Sequence, residues 1–142
     1  MKVLLKIRYV GTNYCGYQVQ PNGITVQQKL NEAARAVFGY DCDVVGCSRT
    51  DSGVHANGFC ATVAKKGESE IVTTVPIDRI PRALNTFLPD DVSVFSAEYV
   101  DGNFHPRYSV KSKEYIYKIY TRPERDAFLS GRVWHLPRIL DV

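Results

Sequence analysis

The chain has 142 residues, of which 44% are hydrophobic and 23% are charged, and its formal net charge is +3 at pH 7. This composition is typical of one globular domain or of a part of a larger one. No apolar run approaches the roughly 18 to 20 residues that a membrane-spanning helix requires, so the sequence excludes such a helix.

The N-terminal part of the chain predicts a strand, a loop and a helix. Residues 3–10 alternate apolar and charged side chains, which predicts a strand with one buried face. The loop that follows is rich in glycine and other turn formers. Thr25 stands three positions before Gln28, as in a capping box, and Gly39 can end a helix. We therefore predict a helix over residues 26–38.

The middle of the chain predicts two strands joined by a polar loop. Residues 43–48 and 59–64 are short apolar runs on either side of residues 49–57. That loop is long for a simple hairpin, and loops longer than a turn requires often carry function. Residues 71–75 are β-branched and are expected to be extended.

A second helix is predicted to begin near Asp78 and to stop before Pro89, and strands are predicted over residues 92–100, 113–121 and 132–136. The apolar side chains expected to pack from this helix are Ile80, Leu84, Phe87 and Leu88. The order over the first hundred residues is β-α-β-β-α-β, which predicts an α+β fold of the ferredoxin-like type, with an antiparallel sheet covered by two helices on one face.

We expect two parts in the chain, a ferredoxin-like subdomain over residues 1–100 and the start of a sheet extension over residues 101–142. The last residues resemble the approach to another element, with Asp141 at the position of an N-cap. The second part is therefore expected to be truncated.

The four cysteines predict reduced, packed side chains rather than a metal site. Cys15, Cys42, Cys47 and Cys60 contain no C-x-x-C pair, and a zinc site would need an unusual spacing. We expect no metal. The N-terminus lacks the continuous apolar segment of a signal peptide, so we expect a cytoplasmic protein.

Positive charge is concentrated in residues 104–125, which hold six basic and two acidic side chains. Five aromatic side chains lie in the same stretch. Cations interleaved with aromatic rings suit a polyanion whose bases can stack. A solvated strand face with half-buried tyrosines explains the same pattern, and the two interpretations stay open on composition alone.

The densest polar cluster is residues 46–56, which include Arg49, Asp51, Ser52 and His55. A carboxylate near a cation in such a loop is suited to act as a nucleophile or a general base. Asp51-Ser52-Gly53 is also an ordinary turn sequence. A hydrolase triad is disfavoured because G-x-S-x-G is absent, and the zinc deaminase and P-loop signatures are absent as well.

Several motifs resemble, in order and spacing, the TruA family of tRNA pseudouridine synthases. The central one reads G-x-x-R-T-D-x-G-V-H-A over residues 46–56. It is preceded by Y-x-G-T-x-Y-x-G over residues 9–16 and followed by Phe104-His105-Pro106-Arg107 and Lys113-Glu114-Tyr115. The resemblance runs over nearly the whole chain.

The resemblance implies roles for individual residues. Asp51 matches the essential aspartate, whose carboxylate attacks C6 of the target uridine or C1′ of its ribose. Arg49 matches the arginine that pairs with this aspartate and helps to hold the nucleotide out of its helix. Tyr115 matches a tyrosine that stacks on the flipped base. The RNA-binding residues expected are His55, His105, Arg107, Lys111 and Lys113.

The resemblance further implies an isomerase that needs no cofactor and acts on uridines of the tRNA anticodon arm, at positions 38 to 40. Its members act as homodimers and are longer than this chain, which is therefore expected to be an N-terminal portion. The alternative is a noncatalytic RNA-binding module of the same fold. An RRM would carry an aromatic-rich signature strand, and no such strand is present.

Overall fold

A computed structural model of the chain describes residues 1–140. It contains two compact units, Met1–Val110 and Lys111–Val142. The elements of the first unit are β1 (Lys2–Tyr9), α1 (Val26–Phe38), β2 (Cys42–Gly46), β3 (Ala56–Lys65), α2 (Ile80–Phe87) and β4 (Val92–Val100). The predicted β-α-β-β-α-β order of the first hundred residues is confirmed.

The four strands of the first unit form one antiparallel sheet in the order β2-β3-β1-β4. In β1, Leu5 lies opposite Ala61 and Ile7 lies opposite Phe59, and all four side chains are buried. They belong to one hydrophobic core with side chains of both helices, including Leu30, Ala33, Ile80 and Leu84. The fold is a mixed α and β architecture with a four-stranded antiparallel sheet.

Helix α1 begins and ends where the sequence predicts. The Thr25 hydroxyl accepts a hydrogen bond from the Gln28 N–H at 3.3 Å and so satisfies one free amide of the first turn. Gly39 adopts φ 83° at the C-cap, a left-handed conformation that glycine reaches without a steric penalty. Its N–H donates to the carbonyl of Arg35.

Helix α2 follows a 3-10 turn at Ile77–Arg79 and buries Ile80 and Leu84 as predicted. The prediction that Phe87 packs in the core is wrong, because its side chain is 55% exposed. Phe87 is the last residue of the helix, and the next residue, Leu88, is extended. Leu88 packs against the core at this end of the helix, which leaves Phe87 outside it.

The second unit contains two short parallel strands, β5 (Ile119–Tyr120) and β6 (Trp134–His135), and a 3-10 turn at Ala127–Leu129. The strand predicted over residues 113–121 is wrong for most of its length. A strand needs a partner for its backbone groups, and within residues 111–140 only the two-residue β6 pairs with this segment. The strand predicted over residues 132–136 is shortened to β6, and the N-cap predicted at Asp141 lies outside the described residues.

No helix among residues 1–140 is long and apolar enough to cross a lipid bilayer.

Candidate active site

The loop of residues 49–55, between β2 and β3, lies against the loop that follows β1. Two glycines permit this close approach. A Cβ atom on Gly11 would overlap the carbonyl oxygen of Val54, and one on Gly16 would lie 2.6 Å from the carbonyl oxygen of Thr50. Gly16 also has φ 82°, which disfavours any other residue. The glycines of the Y-x-G-T-x-Y-x-G motif thus form the surface on which the polar loop rests.

Both neighbours of Asp51 are held in place by hydrogen bonds. The Thr50 hydroxyl lies 2.7 Å from the hydroxyl of Tyr9, and the Thr50 carbonyl accepts from the Tyr17 N–H at 3.2 Å. On the other side, the carbonyl of Tyr14 accepts from the Ser52 hydroxyl at 3.2 Å and from the Gly53 N–H at 3.3 Å. The backbone that carries Asp51 is therefore anchored before and after it.

Asp51 itself is exposed, and its carbonyl accepts from the Val54 N–H at 3.2 Å, which closes a turn. The ordinary turn predicted from the sequence is thus formed, and it leaves the carboxylate open to solvent. Arg49 is also exposed. The ion pairs shorter than 4.0 Å within residues 1–140 are Lys29–Glu32, Arg35–Asp41 and Lys65–Glu68, so no Arg49–Asp51 pair is formed in this state.

His55 is held at the end of the same loop, where its Nδ1 accepts a hydrogen bond from the Gly11 N–H at 2.8 Å. A ring nitrogen that accepts this bond carries no proton. The bond fixes the ring orientation and places any proton of a neutral His55 on Nε2. The Ser52 hydroxyl donates to the Tyr14 carbonyl, which is not the arrangement of a hydrolase nucleophile and its base.

The Asp91 carboxylate, which was not among the predicted site residues, holds the loop that follows β1. Asp91 accepts hydrogen bonds from the hydroxyl of Tyr14 and from the Asn13 amide, the latter at 3.3 Å, and its backbone carbonyl accepts from the Val10 N–H at 2.9 Å. Asp91 and Tyr14 are separated by 77 positions, so no local pattern could have paired them.

The tyrosines around the loop act as neutral hydrogen-bonding groups. Burial raises the pKa of Tyr9 from 10.0 to about 12, although its hydrogen bond with Thr50 opposes that shift. Burial likewise raises the pKa of Tyr14, and the neighbouring Asp91 carboxylate adds to the rise. The pKa of Tyr17 is also raised by burial. None of the three is suited to lose a proton near neutral pH, so their role here is to position the backbone.

His105 and Arg107 lie at the opposite end of the sheet from Asp51. They follow β4, whose last residue, Val100, pairs with Lys2, whereas the polar loop meets β1 at Tyr9. Lys2 and Tyr9 are the first and last residues of β1 and lie seven positions apart, which is about 23 Å at roughly 3.3 Å per residue. Within the first unit, the structure therefore brings Arg49, Asp51 and His55 together and leaves His105 and Arg107 apart from them.

The His105 segment is a compact turn in its own right. His105 Nδ1 accepts from the Arg107 N–H at 3.2 Å, and the His105 ring lies 4.4 Å from the ring of Tyr108. The pKa of His105 lies below its ordinary value because partial burial disfavours the imidazolium, and the positive charges of Arg107 and Lys2 lower it further. His105 is thus predominantly neutral at pH 7.

The remaining predicted site residues, Lys111, Lys113 and Tyr115, belong to the second unit. All three are exposed, and the Tyr115 side chain is 68% exposed. They lie before β5, and Lys113 and Tyr115 fall in the segment that was predicted to be a strand.

Within the described part of the chain, no group of three or more His, Cys, Asp or Glu residues is arranged to hold a metal ion. All four cysteines are free; Cys42 is buried and the other three are half-buried. Cys42 belongs to the hydrophobic core and Cys47 packs against it, as predicted for these two side chains.

Comparison with known proteins identifies the family of this site. A family model described as tRNA pseudouridine synthase matches residues 6–109. The chain belongs to the tRNA pseudouridine synthase family. The region matched by that family model includes the loop that follows β1, the loop of residues 49–55 and the His105 segment. Lys111, Lys113 and Tyr115 lie beyond it.

Three relatives show how far the likeness to the pseudouridine synthases extends. The tRNA pseudouridine synthase A of Caldicellulosiruptor saccharolyticus is 42% identical over 140 residues, which cover 99% of this chain and 55% of the relative. That of Aquifex aeolicus is 41% identical over 139 residues, with 98% and 55% covered. That of Bacillus pumilus is 41% identical over 144 residues, with 100% and 56% covered. The chain thus spans about 55% of the length of the curated relatives it matches.

Proposed function

We propose that the protein isomerises uridine to pseudouridine in tRNA and that Asp51 is its nucleophile. The observation that carries this proposal is the anchoring of Asp51. Its two neighbours are hydrogen-bonded to Tyr9, Tyr14 and Tyr17, yet its own carboxylate is exposed. A fixed backbone with an accessible carboxylate suits a nucleophile that must meet one atom of a flipped nucleotide.

The proposed reaction rearranges one nucleotide and adds no atoms. The Asp51 carboxylate attacks C6 of the base or C1′ of the ribose, the bond between N1 and C1′ breaks, and the uracil turns. A bond then forms between C5 and C1′, and the bond between the Asp51 carboxylate and the nucleotide breaks, which frees the carboxylate. The C5 proton leaves to solvent, and N1 takes up a proton in the product. Because substrate and product have the same composition, the reaction needs no group donor or redox partner, and we propose that the enzyme uses no cofactor.

We propose that Arg49 pairs with Asp51 once RNA is bound and holds the target nucleotide outside its helix. Its exposure and its place two residues from Asp51 support this role, since an exposed arginine outside the ion pairs of residues 1–140 can turn toward a carboxylate or a phosphate. Tyr115 is proposed to stack on the uracil, because an exposed aromatic ring can offset the cost of unstacking a base. His55 is proposed to contact the RNA.

His105, Arg107, Lys111 and Lys113 are proposed to bind the RNA backbone. Partial or full exposure of all four side chains supports this assignment. Neutralising the basic side chains of residues 107–125 is expected to reduce the salt dependence of tRNA affinity. With fewer phosphate contacts, fewer counterions are released when the tRNA binds. An unchanged salt dependence would place the RNA elsewhere.

Further proposals concern where the whole protein acts, how it assembles and how its sheet continues. We propose action on the anticodon arm at positions 38 to 40, a homodimer, a cytoplasmic location, and a ferredoxin-like topology for residues 1–100 continued by a catalytic sheet extension from residue 101. The strand order β2-β3-β1-β4, with every pair antiparallel, supports that topology.

Release of tritium from tRNA labelled at C5 of uridine tests the proposed function. The C5 hydrogen must leave whenever pseudouridine forms, so each turnover releases one label. The assay is run on the chain alone and together with the part of the Aquifex aeolicus relative that the chain does not cover. We expect Asp51→Ala to abolish release and to change tRNA affinity by only a few fold, because phosphate contacts dominate binding.

Asp78→Asn is the matched control, since Asp78 is an exposed acid in the 3-10 turn before α2. Its release rate should equal that of the unaltered chain. The absence of release in both preparations of the unaltered chain would contradict the proposed reaction. Collapse of tRNA affinity in Asp51→Ala would instead give Asp51 a structural role and favour the noncatalytic RNA-binding module.

A further inference from the structure

Arg8 is an exposed cation on the face of the sheet that lies opposite the helices. Leu5 and Ile7 point into the core, so Lys6 and Arg8, which alternate with them along β1, lie on the other face. Arg8 directly precedes Tyr9, whose hydroxyl contacts Thr50 of the polar loop. The position is therefore close to the end of the sheet that carries Asp51.

The guanidinium of Arg8 is held on two sides. Its Nε donates to the backbone carbonyl of Asn57 at 3.1 Å, and the guanidinium lies 4.1 Å from the centre of the Phe95 ring. A cation at this distance from a ring is attracted to its face. Asn57 follows His55 by two residues, so the carbonyl that fixes Arg8 lies on the strand that continues from the polar loop.

A bulge in β4 places Phe95 under Arg8. Lys6 pairs with Ser96 and Ile7 pairs with Val94, which leaves Phe95 as the extra residue of β4. Bulges re-aim a side chain that a regular strand would point elsewhere. The aromatic platform is thus a consequence of the strand register and not of a chance surface contact.

The charge of Arg8 is not neutralised by a protein carboxylate. Among residues 1–140, every ion pair shorter than 4.0 Å involves Lys29, Arg35 or Lys65 as the basic partner. A guanidinium carries five N–H donors and stays protonated at all physiological pH values. One donor is used by Asn57, and the others remain for an anion.

We propose that Arg8 binds a phosphate of the RNA backbone beside the Asp51 loop. A phosphate matches the planar donor array of a guanidinium. The Phe95 ring already restricts the orientations of the Arg8 side chain, so less conformational entropy is lost when a phosphate binds. This assignment rests on the proposed function, because it takes tRNA as the substrate. Arg8 is a binding residue and is not expected to contact the reacting atoms.

The test compares Arg8→Gln with Arg82→Gln, which removes the same charge from an exposed position on α2. The affinity of the full chain for transcribed tRNA is measured from 50 to 300 mM KCl. Loss of one phosphate contact should reduce the slope of log Kd against log salt by about 0.7 to 0.9. We expect this change in Arg8→Gln, no change in Arg82→Gln, and an unaltered slope with weaker binding in Phe95→Leu, which keeps the charge and removes the platform.

Tritium release separates this role from a structural one. Under the conditions in which the unaltered chain turns over, Arg8→Gln should raise KM and leave kcat within about twofold, since only binding is affected. Equal slopes in Arg8→Gln and the unaltered chain, equal losses in both arginine variants, or a fall in kcat with unchanged KM would each overturn the proposal. If the unaltered chain binds tRNA with an Arg8-dependent slope but releases no tritium, the proposed reaction fails while the Arg8 site stands.

Discussion

The backbone N–H of Gly11 donates to Nδ1 of His55 at 2.8 Å, and this bond ties the end of β1 to the end of the loop that carries Asp51. The two segments approach so closely that a Cβ atom on Gly11 would overlap the Val54 carbonyl. Gly11→Ala should therefore push the loop away from β1. We expect a loss of about 1 to 3 kcal/mol in the free energy of unfolding, measured with urea, and a large fall in tritium release.

Gly58→Ala is the control for this substitution. A Cβ atom on Gly58 would meet nothing within 4 Å, and its φ is not positive. We expect its free energy of unfolding to change by less than about 1 kcal/mol. Similar losses in the two variants would mean that glycine flexibility, and not the close approach to Val54, is what matters at Gly11.

Tyr14 and Asp91 should be energetically coupled. The Tyr14 hydroxyl donates to the Asp91 carboxylate, while the Tyr14 carbonyl accepts from Ser52 and Gly53. A hydrogen bond to a charged group contributes about 1.5 to 3 kcal/mol. A double-mutant cycle with Tyr14→Phe and Asp91→Ala should give a coupling free energy near the lower end of that range, because the pair is only partly buried.

The exposed Arg35–Asp41 pair provides the reference cycle. Its side chains are 62% and 66% exposed, so solvent screens the interaction and we expect a coupling below about 1 kcal/mol. We also expect Tyr14→Phe to lower kcat, since the anchor of residues 52 and 53 loosens. A coupling for Tyr14–Asp91 no larger than for Arg35–Asp41 would contradict an anchoring role.

Ionisation of Tyr9 should destabilise the fold at high pH. Its pKa is 10.0 in the unfolded chain and about 12 in the folded one, so the folded state retains a proton that the unfolded state has lost. The stabilisation is complete below pH 10 and is lost as the pH rises toward 12. Two pKa units correspond to at most about 2.7 kcal/mol.

Tyr9→Phe isolates this contribution. At pH 7 the variant should lose about 1 kcal/mol, because the hydrogen bond with Thr50 is gone. Between pH 10 and 12 its free energy of unfolding should fall less steeply than that of the unaltered chain, since Tyr14 and Tyr17 are common to both. The free energy of unfolding is measured with urea at each pH. If it falls equally with pH in both proteins, the pKa of Tyr9 is the same in the folded and the unfolded state.

Local signals were sufficient where an element carries its own boundaries. Thr25 and Gly39 define both ends of α1, and the apolar spacing between them places its buried face, so the helix was predicted residue for residue. The strand predicted over residues 92–100 also matches β4. In contrast, residues 56–57 are small or polar and were assigned to a loop, yet they extend β3 because Ala56 pairs with Tyr9.

The loop of the candidate site could be predicted from the sequence, whereas the contacts that hold this region in place could not. Gly53, His55 and the polar side chains between Arg49 and Ser52 form one short motif. The residues alone also allowed an ordinary turn, and the resemblance to the family indicated a candidate site. Asp91 is remote along the chain and stands in an ordinary proline-containing turn, so nothing local links it to Tyr14. Residues 113–118 have strand-forming side chains, but strand pairing depends on a partner, which a local pattern does not supply.

The side-chain amide of Asn85 acts as a substitute partner for β4 beside its bulge. Its Nδ2 donates to the Val94 carbonyl at 2.9 Å, and its Oδ1 accepts from the Val94 N–H at 2.8 Å. Asn85→Asp keeps the shape of the side chain but places a carboxylate oxygen against the Val94 carbonyl. We expect it to lower the free energy of unfolding by about 1 to 3 kcal/mol, because the partly buried Val94 carbonyl loses its donor and faces a carboxylate oxygen, while the Val94 N–H keeps an acceptor. Thr86→Ala is the control. It removes a hydroxyl that donates to the Arg82 carbonyl on the exposed side of α2, and it should cost less than about 0.5 kcal/mol.

Asn85→Asp should also weaken tRNA binding, because Phe95 directly follows Val94 and its ring supports Arg8. We expect the same loss of affinity as in Phe95→Leu. An unchanged affinity in a destabilised Asn85→Asp variant would show that the bulge keeps its shape without Asn85.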